Sequence, residues 1–340
     1  MIDIHSHFFP HLEERDVRKF GAGWPWLQQV DDENGQIMLE GREFRPVRRV
    51  LWDSAARLGE LDRSGIDAQI ICATPVLFGY AAPSAAAAEF AALVNERALA
   101  FAEKAPGRLY SLCQVPLQDL GCACDELDRA MAAGHVGVQI GNHVGNRELH
   151  DGPVLEFLQH CAEIGAPVLV HPWDMLGGER MRNYMLPWLV AMPAETQLSI
   201  LGLILSGSFE RLPPTLQLCF AHGGGSFAYL LGRVENAWHQ RDLVRRDCPR
   251  PPSSYVDRFS TDSIVFDEGA LSLLVGVMSN QRVMFGTDAP FPLGEQEPGR
   301  LIRGHKGLDE ATRARLLRRN AAEFFRIPDP HSEPATEGGA

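Results

Sequence analysis

Two histidines, His5 and His7, stand one residue apart in the opening stretch MIDIHSHFFP. They follow a short apolar run that is typical of a β-strand, and side chains two residues apart on a strand project from the same face. Their imidazole nitrogens could therefore meet at one point, and neutral imidazole is the commonest metal ligand in proteins. So short a pattern also arises by chance, and its meaning depends on what the rest of the chain places beside it.

Eight apolar, β-branched runs recur along the chain and alternate with stretches of helical character. Several runs are near-continuously apolar, as strands buried on both faces are, and several helical stretches end at glycine. Eight strands alternating with eight helices predict an α/β fold, a (β/α)8 TIM barrel formed by residues 1–325 as one domain. A doubly wound sheet is the alternative, but no GxGxxG follows the first strand. The predicted strands are 1–5, 68–73, 109–115, 137–141, 167–171, 216–222, 259–264 and 282–288.

Two regions do not fit this alternation. Residues 8–50 are too long for a βα loop, which usually has about 2–6 residues. Within them, Asn34 and Gly35 separate two alternating apolar arms, and this dipeptide favours a hairpin turn. We therefore predict a small β-rich insertion after strand 1, over the barrel mouth. The polar residues 326–340, rich in proline and glycine, predict a C-terminal tail that is partly disordered.

Chemistry in a barrel lies at the carboxyl ends of the strands. At those ends the first strand contributes His5 and His7, the fifth His171, the sixth His222 and the eighth Asp288. Histidine nitrogens together with a carboxylate oxygen suit Zn²⁺ or a related divalent ion, which lowers the pKa of bound water. Each histidine alone could be an ordinary packed core residue. All of them at one rim predict a metal centre.

Composition excludes several classes of partner. The chain of 340 residues has a net charge of −12, which argues against binding nucleic acid or an anionic membrane surface. Its seven cysteines include no CxxC pair, no secretory signal precedes the first strand, and no apolar run approaches a membrane span. These features favour a reduced, cytoplasmic enzyme.

Several motifs together resemble the amidohydrolase superfamily and, more narrowly, its aminocarboxymuconate semialdehyde decarboxylase family. They are HSHFFP, HPWDM, AHGGGSFAYLLGR and GTDAPFPLG, and the likeness extends over nearly the whole chain. HxH alone marks the wider superfamily, whereas HPWDM and PFPLGE are specific to this branch. The resemblance implies a zinc-dependent, non-oxidative decarboxylation of 2-amino-3-carboxymuconate 6-semialdehyde in the catabolism of tryptophan or other aromatic compounds.

The resemblance also implies roles for the residues at the strand ends. The family's zinc ligands fall on His5, His7, His171 and Asp288. Its histidine that activates the zinc-bound water without ligating the ion falls on His222. We therefore expect His222 and Asp288 to be catalytic and a single Zn²⁺, or another divalent ion, to be the cofactor.

The family's substrate-binding residues fall elsewhere. Arginines that bind substrate carboxylates fall on Arg45, Arg233 and Arg241, and pocket-lining positions fall on Trp188 and Phe291. On one helix, residues 233 and 241 are separated by about 12 Å of rise and about 80° of rotation, so they cannot easily clamp one small ligand. The family suggests that Arg241 serves its own site while Arg233 reaches the neighbouring site of a homodimer.

One position departs from the family pattern and leaves the substrate open. Relatives usually read TDYPFP or SDYPFP, whereas this chain has Ala289 in place of the tyrosine. A related carboxymuconate semialdehyde or an ortho-hydroxybenzoate is therefore an alternative substrate. A metal-dependent hydrolase and a non-catalytic metal-binding barrel are further alternatives. The arginines and HPWDM favour decarboxylation of a dicarboxylate.

Overall fold

The computed structural model describes residues 1–331 of the chain. Of the expected tail, residues 332–340 lie outside the described range. The strands are β1 (Ile2–Phe8), β2 (Trp26–Gln29), β3 (Asn34–Leu39), β4 (Arg42–Arg48), β5 (Ala68–Ala73), β6 (Leu109–Ser111), β7 (Cys113–Gln114), β8 (Val138–Gly141), β9 (His143–Val144), β10 (Arg147–Glu148), β11 (Val168–His171), β12 (Leu218–Phe220), β13 (Ser260–Asp262) and β14 (Val283–Met284).

Helices follow most of the parallel strands, as the alternating sequence pattern predicts. Four of them begin at an aspartate whose carboxylate accepts a backbone N–H of the first turn, and three end at a left-handed glycine. The helices are α1 (Glu14–Val17), α2 (Ser54–Ser64), α3 (Ser84–Ala102), α4 (Leu120–Ala133), α5 (Gly152–Ile164), α6 (Met192–Leu205), α7 (Ser208–Arg211), α8 (Phe227–Gln240), α9 (Asp242–Arg245), α10 (Glu268–Met278), α11 (Arg300–Gly304), α12 (Glu310–Ala314) and α13 (Asn320–Phe325).

The core strands form two parallel sheets, in the orders β1–β5–β6 and β14–β13–β12–β11–β8–β7. Each predicted strand has a counterpart in them. Strands β5, β8 and β11 are buried at every position, which explains their nearly continuous apolar sequences. One apolar core lies between the strands and the surrounding helices. A second combines side chains of the parallel strands with those of α13. Each fully buried large side chain contributes roughly 1.5–3 kcal/mol to folding.

The strand ladders do not close into a barrel, which differs from the sequence prediction. The strand expected at 109–115 is interrupted at Leu112 into β6 and β7, so the two sheets share no ladder there. At the other seam β14 ends early, although the N–H of Ile4 donates to the carbonyl of Phe285 at 3.0 Å. Asp288, four residues beyond the end of β14, adopts a left-handed φ of +60°.

The insertion contains the antiparallel sheet β2–β3–β4. Its turn differs from the sequence prediction, because Asn34 and Gly35 lie within β3. Asp31 forms the turn earlier, since its carboxylate accepts the N–H groups of Glu33 and Asn34 at 2.8 Å each. Gly35 is required for packing, because a Cβ atom there would lie 2.9 Å from the Trp52 ring.

One helical stretch, Pro187–Leu205, is long and apolar enough to cross a membrane by length and composition alone. Sequence analysis expected no such run. The stretch consists of a π-helical turn, Pro187–Ala191, followed by α6. Its inner face places Ile200 and Leu203 in the core, which accounts for part of its apolar character.

Candidate metal centre and active site

Four side chains converge at the carboxyl ends of the strands. They are His5 and His7 of β1, His171 of β11 and Asp288, and one potential ligand atom of each lies within 4.8 Å of all the others. His7 Nε2 lies 2.9 Å from Asp288 Oδ1 and 3.3 Å from His5 Nε2. Ligand atoms around a tetrahedral zinc ion are separated by roughly 3.4 Å, so this spacing suits a shared ion.

The outer ring nitrogens of His5 and His171 have oxygen acceptors, and His7 Nδ1 lies 3.8 Å from Cys72 Sγ. Asp262 Oδ2 lies 2.7 Å from His5 Nδ1, and the carbonyl oxygen of Pro172 lies 2.9 Å from His171 Nδ1. Both acceptors assign the ring proton to Nδ1 and leave the Nε2 lone pair directed at the cluster. His171 Nε2 is buried and has no partner among the described residues, an arrangement that costs about 1–3 kcal/mol. A divalent ion would satisfy this atom, so the donor set fits such an ion.

Asp262, at the end of β13, is a site residue that sequence analysis missed. Besides His5, its carboxylate accepts the N–H groups of His222 at 2.8 Å and Gly223 at 2.7 Å. Burial alone would raise its pKa, but the hydrogen bond and charge of His5 lower the pKa of Asp262 overall. The available signal was a carboxylate in the carboxyl-terminal half of the predicted strand 259–264.

His222 lies beside the cluster. Its ring centre is 5.2 Å from that of His5 and 5.0 Å from that of His171, and its Nε2 is 3.9 Å from Asp288 Oδ2. Neither ring nitrogen has a hydrogen-bond partner in residues 1–331. Burial, followed by the nearby His5, lowers the pKa of His222 to about 4, so its imidazole is neutral near pH 7 and can accept a proton.

Asp288 and His222 share an unusual backbone conformation. Their φ angles are +60° and +56°, in the left-handed region that costs a residue other than glycine about 1–3 kcal/mol. The N–H of Asp288 donates to the carbonyl of His5 at 2.8 Å, which helps to hold this conformation. Burial would raise the pKa of Asp288, but the hydrogen bond and charge of His7 keep it well below its usual range. The carboxylate is therefore ionised, as a metal ligand must be.

A cavity of about 390 Å³ opens above the cluster. Its floor consists of His7, His171 and Asp288, and its walls are mainly apolar. Such a cavity suits a flat, conjugated ligand with a polar group at one end. The aromatic and methionine side chains that line it are Phe44, Trp173, Trp188, Phe291, Met175, Met185 and Met192.

The loop after β11, which contributes Trp173 to the wall, is fastened by buried polar groups. The N–H of Trp173 donates to Asn142 Oδ1 at 2.8 Å, and Asn142 Nδ2 donates to Glu195 of α6 at 2.7 Å. The other carboxylate oxygen of Glu195 accepts the N–H of Leu176 at 2.8 Å. Burial raises the pKa of Glu195. Helix α6 thus fixes one wall of the cavity from behind.

Arg45 of β4 lines the same cavity. Its Cζ lies 4.7 Å from the centre of the Phe291 ring and 5.6 Å from that of the Trp188 ring. The guanidinium has no hydrogen-bond or ion-pair partner among the described residues, and burial lowers its pKa. A guanidinium stacked on aromatic rings without a counter-ion can receive a carboxylate in a bidentate manner.

An amidohydrolase family model matches residues 2–327. The chain belongs to the amidohydrolase family. It is 40% identical to 2-amino-3-carboxymuconate-6-semialdehyde decarboxylase of Dictyostelium discoideum, over 97% of this chain and 92% of the relative. It is 31% identical to the Caenorhabditis elegans protein of the same name, over 96% of this chain and 94% of the relative. These matches confirm the resemblance found in the motifs.

A comparison with a solved structure supports the α/β fold. The dihydroxybenzoic acid decarboxylase of Polaromonas sp., crystallised with manganese and an inhibitor, superimposes with a TM-score of 0.76. The match covers 96% of both chains at 21% identity. This likeness shows an α/β fold of the amidohydrolase type.

Two of the predicted arginines do not line the cavity of their own chain in this amidohydrolase. Arg233 lies midway along α8 and Arg241 follows its last residue, about 20 Å of helical rise from Phe227. Both side chains are exposed and have no ion pair among the described residues. Their roles in substrate binding stay predictions.

Ala289 follows Asp288, yet its side chain does not enter the metal cavity. It lines a second cavity of about 80 Å³ on the other side of the chain. The carbonyl of Ala289 accepts the N–H of His7 at 2.6 Å. Ala289 is thus not among the residues that line the metal cavity, although Asp288 before it and Phe291 after it are. Polar residues around the second cavity include Arg57, Glu60, Gln69 and Glu295.

Proposed function

We propose that this amidohydrolase removes CO₂ non-oxidatively from 2-amino-3-carboxymuconate 6-semialdehyde. The observation that carries the proposal is Arg45, without a counter-ion, in the same apolar cavity as the His/Asp cluster. The cavity thus offers a group that binds a carboxylate beside one that binds a metal ion. The names of the two relatives at 40% and 31% identity support the same reaction.

The cofactor of this proposal is one divalent ion, for which we favour zinc. His5, His7, His171 and Asp288 would hold it, and three imidazole nitrogens with one carboxylate oxygen are a usual zinc donor set. When bound, the ion supplies Lewis-acid chemistry. Manganese, present in the Polaromonas decarboxylase, is the alternative, and metal analysis of the purified protein distinguishes the two.

The residues of the chain have separate tasks in this reaction. Arg45 binds one substrate carboxylate while the stacked rings of Trp188 and Phe291 enclose the conjugated chain. His222 accepts a proton from water and donates it to the substrate carbon that bears the departing carboxylate. The hydroxide that remains takes up a proton from solvent, so one proton is consumed for each CO₂ released. The electron pair of the broken carbon–carbon bond then returns to the conjugated system as CO₂ leaves.

A turnover assay tests this function. Metal-loaded protein incubated with freshly generated substrate should consume its absorbance and release one CO₂ per molecule. In D₂O the product should contain one deuterium at the vacated carbon. Hydrolysis of an ester or amide without CO₂ would instead select a hydrolase.

An ortho-hydroxybenzoate decarboxylase is a second candidate. The aromatic walls and the volume of about 390 Å³ also suit a benzoate ring. CO₂ release from such a benzoate, with none from the semialdehyde, would select this candidate. Both assays use the same protein preparation.

We also propose a homodimer in which Arg233 reaches the neighbouring cavity. Arg233 is exposed and has no ion pair, and the same region exposes the large apolar side chains of Tyr229 (79%) and Leu243 (73%). We further propose a cytoplasmic location. The seven cysteines, which are all free thiols, support it. Light scattering would give the oligomeric state.

The two parallel sheets, we propose, are arcs of one (β/α)8 barrel. Backbone hydrogen bonds at both seams support this arrangement. Ile4 donates to Phe285 at 3.0 Å across one seam. At the other, adjacent residues of one segment bond to both sheets, because Leu112 donates to Ile71 and Cys113 to Gly137 at 2.9 Å each. A crystal structure with continuous pairing at both seams would establish the closed form.

A further inference from the structure

Arg57 of α2 is buried beside the metal centre, although the proposed mechanism does not use it. Its side chain is 2% exposed. The guanidinium donates to the carbonyls of His7 at 2.6 Å and Val50 at 2.8 Å, and to Gln69 Oε1 at 2.9 Å. Burial lowers the pKa of Arg57 to about 10, so the group keeps its charge at neutral pH. Burying a charged group costs free energy unless hydrogen bonds compensate, so the contacts of Arg57 indicate what it stabilises.

The hydrogen bonds continue from Gln69 to a buried anion. Gln69 Nε2 donates to Asp3 Oδ2 at 2.7 Å. The amide thus turns its oxygen to the cation of Arg57 and its N–H to the anion of Asp3, and both charges favour the same orientation. Asp3 also accepts the N–H of His5 at 3.1 Å, and both the N–H (3.0 Å) and the hydroxyl (2.7 Å) of Thr287.

This relay of Arg57, Gln69 and Asp3 touches the backbone segments that contain three of the four candidate ligands. One end holds the carbonyl of His7. The other end holds the N–H groups of His5 and of Thr287, the residue before Asp288. The relay therefore spans the seam between β1 and the segment after β14, where pairing is limited to an isolated bridge and a few backbone hydrogen bonds.

We infer that Arg57, Gln69 and Asp3 are positioning residues of the metal centre, which fix the spacing between the histidines of β1 and Asp288. The inference rests on the proposed metal site but not on the identity of the substrate. Metal–ligand distances in genuine sites fall within about 0.2 Å of their usual values, so the spacing of the ligands matters. Loss of a partner outside the ligand shell typically costs 10–100-fold in metal affinity.

The experiment measures metal binding directly. Gln69→Leu removes the bridge, Arg57→Met removes the cation, and Arg57→Lys keeps a charge with fewer donors. Zn²⁺ affinity is measured by competition with a chromogenic chelator, and coordination geometry by the visible spectrum of the Co²⁺-loaded protein. We expect Gln69→Leu and Arg57→Met to lower Zn²⁺ affinity by about 10–100-fold and to shift the Co²⁺ bands, with Arg57→Lys intermediate.

Arg258 provides a matched control. It donates to the carbonyls of Phe209 and Leu212 and precedes β13, at the end opposite Asp262. Arg258→Met should lower the thermal midpoint without changing Zn²⁺ affinity or the Co²⁺ spectrum. If the Arg57 and Gln69 variants behave in the same way, their role is structural only and the inference is overturned.

Misfolding of a variant and failure of the proposed metal site can each be distinguished from failure of the inference. If Arg57→Met does not fold, Gln69→Leu and Thr287→Val decide the question, because Thr287→Val removes a single hydroxyl donor to Asp3. A wild-type protein that binds neither Zn²⁺ nor Co²⁺ would overturn the proposed metal centre itself. Normal binding by the wild type with unchanged binding by the variants would overturn only the role of the relay.

Discussion

The floor and the roof of the cavity are built in opposite ways. The floor residues His7 and His171 are 1% and 4% exposed and lie on strands that are buried throughout. The roof, formed by Met185 and Trp188, belongs to a surface segment in which Met185 is 49% and Leu189 57% exposed. The floor fixes the reacting groups, whereas the roof can change with little cost to the fold. Reaction type and substrate preference are thus located in different parts of the molecule.

The largest expected effect comes from the floor. His222→Ala should keep the metal ion and lower turnover by roughly 10²–10⁴-fold, because it removes proton transfer but no ligand. Asp288→Ala should instead purify with little metal. Metal analysis and turnover of both variants test the assignment. A metal-free His222→Ala beside a metal-loaded Asp288→Ala would reverse the two roles.

Substrate binding by the arginines should give the next largest effect. Arg45→Ala and Arg233→Ala should each lower kcat/KM by about 10–150-fold, since a charge-assisted hydrogen bond contributes about 1.5–3 kcal/mol. Both variants should retain their metal. Loss of metal from either variant would show that its arginine supports the metal site instead of binding only the substrate.

Mixing these two variants tests the shared site. In a mixed dimer one cavity has both arginines and the other has neither, so about a quarter of all cavities should recover after random exchange. Mass spectrometry verifies the exchange. Exchange without recovered activity would place Arg233 outside the neighbouring cavity.

The roof should give a smaller effect that differs between substrates. Trp188→Ala should raise KM by about 2–10-fold, since an aromatic contact contributes about 0.5–1.5 kcal/mol, and should leave metal content unchanged. Leu189→Ala is the matched control, because Leu189 lies in the same segment and does not line the cavity. Equal effects of the two substitutions would contradict a specific role for Trp188.

The smallest effect is expected at Ala289. Ala289→Tyr adds a ring to the second cavity and should change kcat/KM by less than about 3-fold. Val76→Tyr adds the same ring to the metal cavity and should reduce activity much more. A large change in substrate preference on Ala289→Tyr would show that residue 289 does influence the metal cavity.

The floor could be predicted from the sequence because its candidate metal ligands lie in or shortly after apolar strands. A buried strand is recognisable from its composition, and a histidine at its carboxyl end has a defined location in an α/β fold, as His171 illustrates. The roof residue Trp188 was placed only through the family resemblance, since no periodicity locates a surface segment over a cavity. Asp262 was not predicted as a site residue. Its contact with the N–H of His222 joins residues of two different strands, and such a contact is not visible in the sequence.

Two further features differ from the simplest interpretation of the sequence, the first partly because a second local turn signal, Asp31, precedes Asn34 and Gly35. Asn34 and Gly35 predict a turn, but the Asp31 carboxylate forms the turn first and the Trp52 ring requires the glycine. Ala289 is adjacent to a ligand in sequence, yet the side of the chain on which it lies depends on the left-handed Asp288. Local rules fail where tertiary contacts select the conformation.

The hydrogen bond from the Thr287 hydroxyl to Asp3 joins positions 284 residues apart. By loop-closure statistics, bringing such distant segments together costs about 5 kcal/mol of chain entropy before any contact compensates. The ligands therefore cannot assemble from a local nucleus, and during folding the complete metal centre arises only when long-range contacts form. A divalent ion can stabilise the native state and slow its unfolding, but it cannot guide the early collapse of the chain.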